Sequence, residues 1–125
     1  MVSLYRHVLT AMMTSQGGLL MLVRAGPGSA RAAAALARIE ALAGDDCPAA
    51  LVFFHGPAVA LAWGEEADRW AMAASAAKAR LWVCSSAWQR RFRTEPGPAF
   101  EVSSLARFWT EALVCGRIEC FGDDQ

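Results

Sequence analysis

The chain has 125 residues, 55% of them hydrophobic, enough for one domain with a substantial buried core. Twelve basic residues balance twelve acidic ones for a formal net charge of zero, so there is no broad cationic field to hold nucleic acid or an anionic membrane. Direct polynucleotide binding is therefore not expected.

Residues 1–17 read as an N-terminal extension ahead of a domain over 18–125. Within it, Ser3 to Met13 is apolar at Leu4, Tyr5, Val8, Leu9 and Met12, a helical spacing suited to packing on the body or on a neighbouring subunit. The longest uncharged stretch, His7 to Val23, includes Thr10, Thr14, Ser15, Gln16 and the pair Gly17-Gly18, and is too short and too polar for a bilayer span. Arg6 before Val8 to Met13 faintly imitates a secretion signal, but no small-x-small cleavage site follows. The expected location is cytoplasmic, without a membrane partner.

Leu19 to Ala25 is a continuous apolar run ending at Gly26-Pro27-Gly28, the pattern of a strand buried on both faces. Ser29 then caps a helix to about Ala43, with Leu36, Ile39 and Leu42 at helical spacing and Gly44 as the stop. Ala49 to Phe54 is a second strand. A second helix runs from about Glu65 to Ala77, with Glu65, Glu66 and Asp68 at the positive end of its dipole. Arg80 to Cys84 is a third strand, and Ser85 and Ser86 offer caps for a helix to Phe92. After a loop marked by Pro96-Gly97-Pro98, Ser103 or Ser104 caps a helix over Leu105 to Cys115, and Arg117 to Phe121 closes as a strand. Three strand-to-helix units in series predict a mostly parallel sheet of four or five strands with helices on both faces.

In such a sheet, reactive groups gather at the carboxyl edge, where strands pass into helices. Three loops are expected there: Gly26 to Ser29, His55 to Gly64, and Cys84 to Ser86. GPGSAR begins like a dinucleotide fingerprint but has Arg31 in place of the third glycine, so a structural turn is the commoner explanation. His55 can orient or protonate a group on Cys84 from the neighbouring strand end, or be an ordinary satisfied polar residue. For Cys84 two readings stand level. At the first turn of a helix, free N–H groups and the dipole favour a thiolate; a cysteine ending a buried strand is equally often a small apolar filler. Cys84 and Arg90 also match C-x5-R, the spacing of phosphatase and arsenate-reductase loops. The interior Ser-Ser-Ala-Trp-Gln, however, lacks the glycine such loops use for positive φ and suits a helix.

The four cysteines, Cys47, Cys84, Cys115 and Cys120, make no CxxC pair and are too sparse for a secreted scaffold, so reduced thiols are expected. Cys47, beside Pro48, and Cys115 and Cys120 lie away from any strand-to-helix turn. They are expected to be structural and less exposed than Cys84. His7 and His55 stand far apart and near no cysteine pair at ligand spacing, so no metal site is expected.

Four blocks in order carry a resemblance. They are the first strand with its Gly26-Pro27 turn, "VFFHGPAV" (Val52 to Val59), "LWVCSSAWQRRF" (Leu81 to Phe92) and "SSLARFWTEALVCGRIECFG" (Ser103 to Gly122). From Gly18 onward the chain resembles the DsrE/TusD-like sulfur-relay proteins. Phe92 and Gly116 depart from that pattern, replacing a glycine and an acid, and the first 17 residues have no counterpart in it.

The resemblance implies a flavodoxin-like three-layer α/β/α fold with Cys84 bearing a persulfide. It also implies oligomers, either of the chain itself or with sibling DsrE/F/H-like or TusB/C-like subunits. TusA-like and DsrC/TusE-like proteins would be the sulfur donor and acceptor, in tRNA thiolation or sulfur oxidation. Such a carrier needs a nucleophilic thiol and access for a partner, and no triad, metal or other cofactor. Ser85, Ser86 and the following amides can hydrogen-bond a persulfide anion, with His55 and Gly56 in the adjoining loop. Trp63 and Trp88 can form an apolar rim, or serve as plain core, and Arg90 can meet a partner. The competing expectations are a sibling subunit or binding module of the same fold in which Cys84 is incidental, and the C-x5-R phosphatase.

Overall fold

A computed structural model describes residues 18–44, 50–115 and 117–122. The helix expected over Ser3 to Met13, the rest of the extension, and Cys47 with Pro48 lie outside the described residues. Three strands follow the apolar runs: β1 (Leu19–Val23), β2 (Ala50–Phe54) and β3 (Arg80–Cys84). β2 is buried along its whole length, which requires cover on both faces of the sheet.

The first helix, α1 (Ala30–Glu40), starts at its expected cap: the Ser29 hydroxyl accepts from the Ala32 N–H at 3.1 Å and donates to the Gly26 carbonyl at 2.7 Å. GPGSAR is thus a turn and a helix cap. Between β2 and the next helix the chain forms a 3₁₀ segment, Gly56–Ala62, where the sequence pattern suggests only a loop. Helix α2 (Gly64–Ala77) follows, with Glu65 and Glu66 in its first turn. Helix α3 (Ser85–Arg91) is capped otherwise than expected: Cys84 holds the cap position and no side chain makes a capping bond. β3 passes into α3 with no residue between, so Ser85 and Ser86 are already inside the first turn.

A further strand, β4 (Phe100–Ser103), is not announced by the sequence. Of the two candidate caps for α4 (Leu105–Val114), Ser104 serves, accepting from the Arg107 N–H, while Ser103 stays in the strand. β5 (Ile118–Phe121) closes the sheet.

The five strands are all parallel, in the order β4-β3-β2-β1-β5. Register assigns the faces. Phe53 and Trp82 are partners on one face, where Phe108 of α4 packs against Phe53 with centroids 4.9 Å apart. Phe54 points the other way and meets Trp70 of α2 edge-on, also at 4.9 Å. α1 packs against α2, and the right-handed crossover rule puts α3 on their side. There Trp88 of α3 and the adjacent Phe92 line a hollow with Val102 of β4. Among the described helices α4 lies alone on the opposite face. This is the three-layer α/β/α arrangement, and it has one chemical consequence. The strand order runs outward from β1 to β4 and then reverses to β5, so the topological switch point of the sheet lies between β1 and β5, and the end of β3 is a separate strand-to-helix junction on the same carboxyl edge.

Candidate functional site

Cys84 ends β3 on the carboxyl edge. Its register partner on β4 is Ser103. The Cys84 sulfur lies 3.5 Å from the Ser86 hydroxyl. Cys84 itself is only 2% exposed, whereas Ser86 is exposed and Ser85 half-buried. The sulfur therefore sits one side chain beneath the surface.

This burial corrects the expectation that Cys84 is the most accessible thiol. Cys120 is exposed and Cys115 half-buried. The cause is β4: with a strand on each side, β3 is an interior strand, and α3 folds back over its end. Cys115 is tied down by its S–H, which faces the carbonyls of Gly18 at 3.3 Å and Arg117 at 3.2 Å. Cys120 lies on the edge strand β5, which explains its exposure.

His55 follows β2, next to β3. Its ring stacks on Phe53 at 6.4 Å, and its backbone N–H donates to the Val23 carbonyl. Among the described residues no hydrogen bond joins it to Cys84. Burial first, then the guanidinium groups of Arg24, Arg91 and Arg90, hold its pKa below the ordinary 6.5, so the imidazole is neutral at neutral pH. Those three arginines have no carboxylate partner among the described residues. The sequence singled out only Arg90; Arg24 and Arg91 join it through the fold, from the end of β1 and the last turn of α3. Gly56 adopts φ +60°, which lets the 3₁₀ segment start directly after His55.

The two expected rim tryptophans differ in kind. Trp88 is buried and its indole N–H donates to the Thr94 carbonyl at 2.7 Å, whereas Trp63 is 57% exposed. Phe92 joins them, stacked on Trp88 at 4.1 Å and on Trp63 at 6.1 Å. Three rings thus run from the core to the surface behind α3. Residues 85–91 form a helix, with no positive-φ residue between Cys84 and Arg90, so the segment does not wrap an anion in the phosphatase manner. Among the described residues, no three histidine, cysteine or acidic side chains gather as metal ligands. No described helix is long and apolar enough to cross a membrane.

No protein-family model matches the chain, and no curated protein sequence does. Among solved structures it is similar to the ychN protein from E. coli, with a TM-score of 0.70 over 85% of this chain and 99% of that one. The identity is 15%, so the likeness speaks for the fold alone. It supports the three-layer α/β/α fold that the sequence blocks imply.

Proposed function

We propose that the chain is a cytoplasmic sulfur carrier that holds sulfane sulfur as a persulfide on Cys84. The observation that supports this best is position. Cys84 is the one cysteine among the described residues at a strand-to-helix junction, and that junction lies on the carboxyl edge of the sheet, the edge where folds of this class place their ligands. The Cys84 thiolate attacks the sulfane sulfur of a donor persulfide; a new S–S bond forms as the donor's breaks, and the electron pair leaves on the donor thiolate. Attack by an acceptor thiolate on the outer sulfur reverses the change, and no oxidant is consumed.

Burial suits storage, because a persulfide beneath Ser86 is shielded from water and stray oxidants. Transfer then needs the first turn of α3 to yield, and that helix is short and has no capping side chain. Arg24, Arg90 and Arg91, which have no carboxylate partner among the described residues, favour an anionic sulfur group or an acidic partner at this edge. We assign the relay to tRNA thiolation or sulfur oxidation. Its donor and acceptor are proteins of the TusA-like and DsrC/TusE-like kinds, and the chain assembles with itself or with DsrE/F/H-like or TusB/C-like siblings.

The same burial favours a second reading, a binding module of this fold in which Cys84 is core filler. Incubation with polysulfide separates the two. A carrier gains the mass of one sulfur atom on Cys84, reversibly with a reductant, and Cys84→Ser abolishes the gain while the protein stays folded. Sulfur found on the exposed Cys120 with none on Cys84 would establish the binding module instead.

A further inference from the structure

Ser103 is 7% exposed, and its hydroxyl has no hydrogen-bond partner among the described residues. Buried hydroxyls are nearly always paired, so an unpaired one calls for a partner beyond the described side chains, a water or a bound group. Its neighbour Ser104 is employed as the cap of α4, which leaves Ser103 with no structural task for its oxygen. Its position supplies one. Ser103 is the register partner of Cys84, so the two side chains project to the same face of the sheet from adjacent strands about 4.8 Å apart. Both are the last residues of their strands, on the carboxyl edge of the sheet.

As the chain stands, the sulfur of Cys84 makes its polar contact with Ser86, not with Ser103. A second sulfur lengthens the cysteine side chain by about 2 Å. That is the scale of the gap between neighbouring side chains on strands so spaced. Trp82 Nε1 is also buried without a partner, but it lies one rung deeper in the sheet, with Arg80 and Arg107 over its ring.

We propose that the Ser103 hydroxyl donates a hydrogen bond to the terminal sulfur of a Cys84 persulfide anion, keeping its own proton throughout. The assignment rests on the carrier reading and deepens it: Ser86 faces the resting thiol, and Ser103 receives the cargo.

The test uses the full chain loaded with polysulfide, with sulfur at Cys84 followed by mass. The pH profile of persulfide alkylation and the rate of sulfur loss are then measured. In Ser103→Ala, loading of Cys84 should persist and the melting temperature should hold or rise, since an unpaired buried hydroxyl is removed. The alkylation profile should move up by about one pH unit and sulfur should be lost about tenfold faster, the effect of one hydrogen bond to an anion. Ser103→Thr and Ser103→Val have nearly the same shape and differ in the hydroxyl. Threonine should behave as serine does, and valine as alanine does. Equal profiles for threonine and valine overturn the assignment while the carrier reading stands. If wild-type Cys84 takes up no sulfur at all, both fall together.

Discussion

At His55 burial and three guanidinium groups act in the same direction, all disfavouring the imidazolium. Its folded pKa therefore lies below the 6.5 of the unfolded chain. Above that pH both states are neutral and the residue contributes no pH dependence. Below it the unfolded chain takes up a proton that the folded chain refuses, so stability falls as pH drops toward the folded value and levels off beneath it. Denaturant unfolding at pH 7.5 and at 5.5 should show this loss, and His55→Gln should reduce it; an unchanged difference in the variant would place the effect elsewhere. The same neutrality bears on the site. An uncharged imidazole, not bonded to Cys84, is no cationic partner for a sulfur anion, so the positive charge at this edge comes from Arg24, Arg90 and Arg91. Only Arg90 could be picked from the sequence, because the chain positions of the other two become neighbours of His55 only when β1 and α3 reach the same edge.

The 3₁₀ segment Gly56–Ala62 shows how one residue can set an element. Gly56 stands at φ +60°, and a Cβ built there meets nothing within 4 Å, so substitution costs backbone strain and no steric clash. Gly56→Ala should lower stability by about 1 kcal/mol, and Gly56→Asn by less, since asparagine tolerates the left-handed region better. Urea unfolding measures both, and equal losses for the two would show that the conformation is not what matters. This segment escaped the sequence reading because GPAVALA has apolar residues without either strand or helix period; its Ala58, Val59, Leu61 and Ala62 are nevertheless buried. β1, β2 and β3 were legible as continuous apolar runs, and α1 and α4 from serines placed just before them. β4 was not: FEVS is four residues long, exposes Glu101 and Val102, and follows Pro96-Gly97-Pro98. That omission carried over to the site. Without β4, β3 reads as an edge strand with an open cysteine, and Ser103 reads as a helix cap rather than the partner of Cys84.

Across the whole molecule the two faces of the sheet are unequally covered. α1, α2 and α3 lie on one face, while among the described helices α4 alone covers the other and buries only Phe108 of its own residues. Its outer side exposes Trp109 at 48%, Leu113 at 86% and Val114 at 44%, and Ile118 of β5 is 41% exposed. Scattered single apolar residues on a surface need no explanation, but four large ones on one helix and the strand that follows it resemble an interface. Self-association through this side is accordingly expected, and light scattering at micromolar concentration should give a mass above that of one chain. Leu113→Glu should shift the population toward monomer. Because the leucine is exposed among the described residues, the substitution should leave the unfolding free energy of the monomer within about 0.5 kcal/mol of the original. A variant that stays assembled would move the interface away from α4. A wild-type chain that is monomeric at that concentration would leave the face to a sibling subunit, and Leu113→Glu should then weaken capture of that subunit instead.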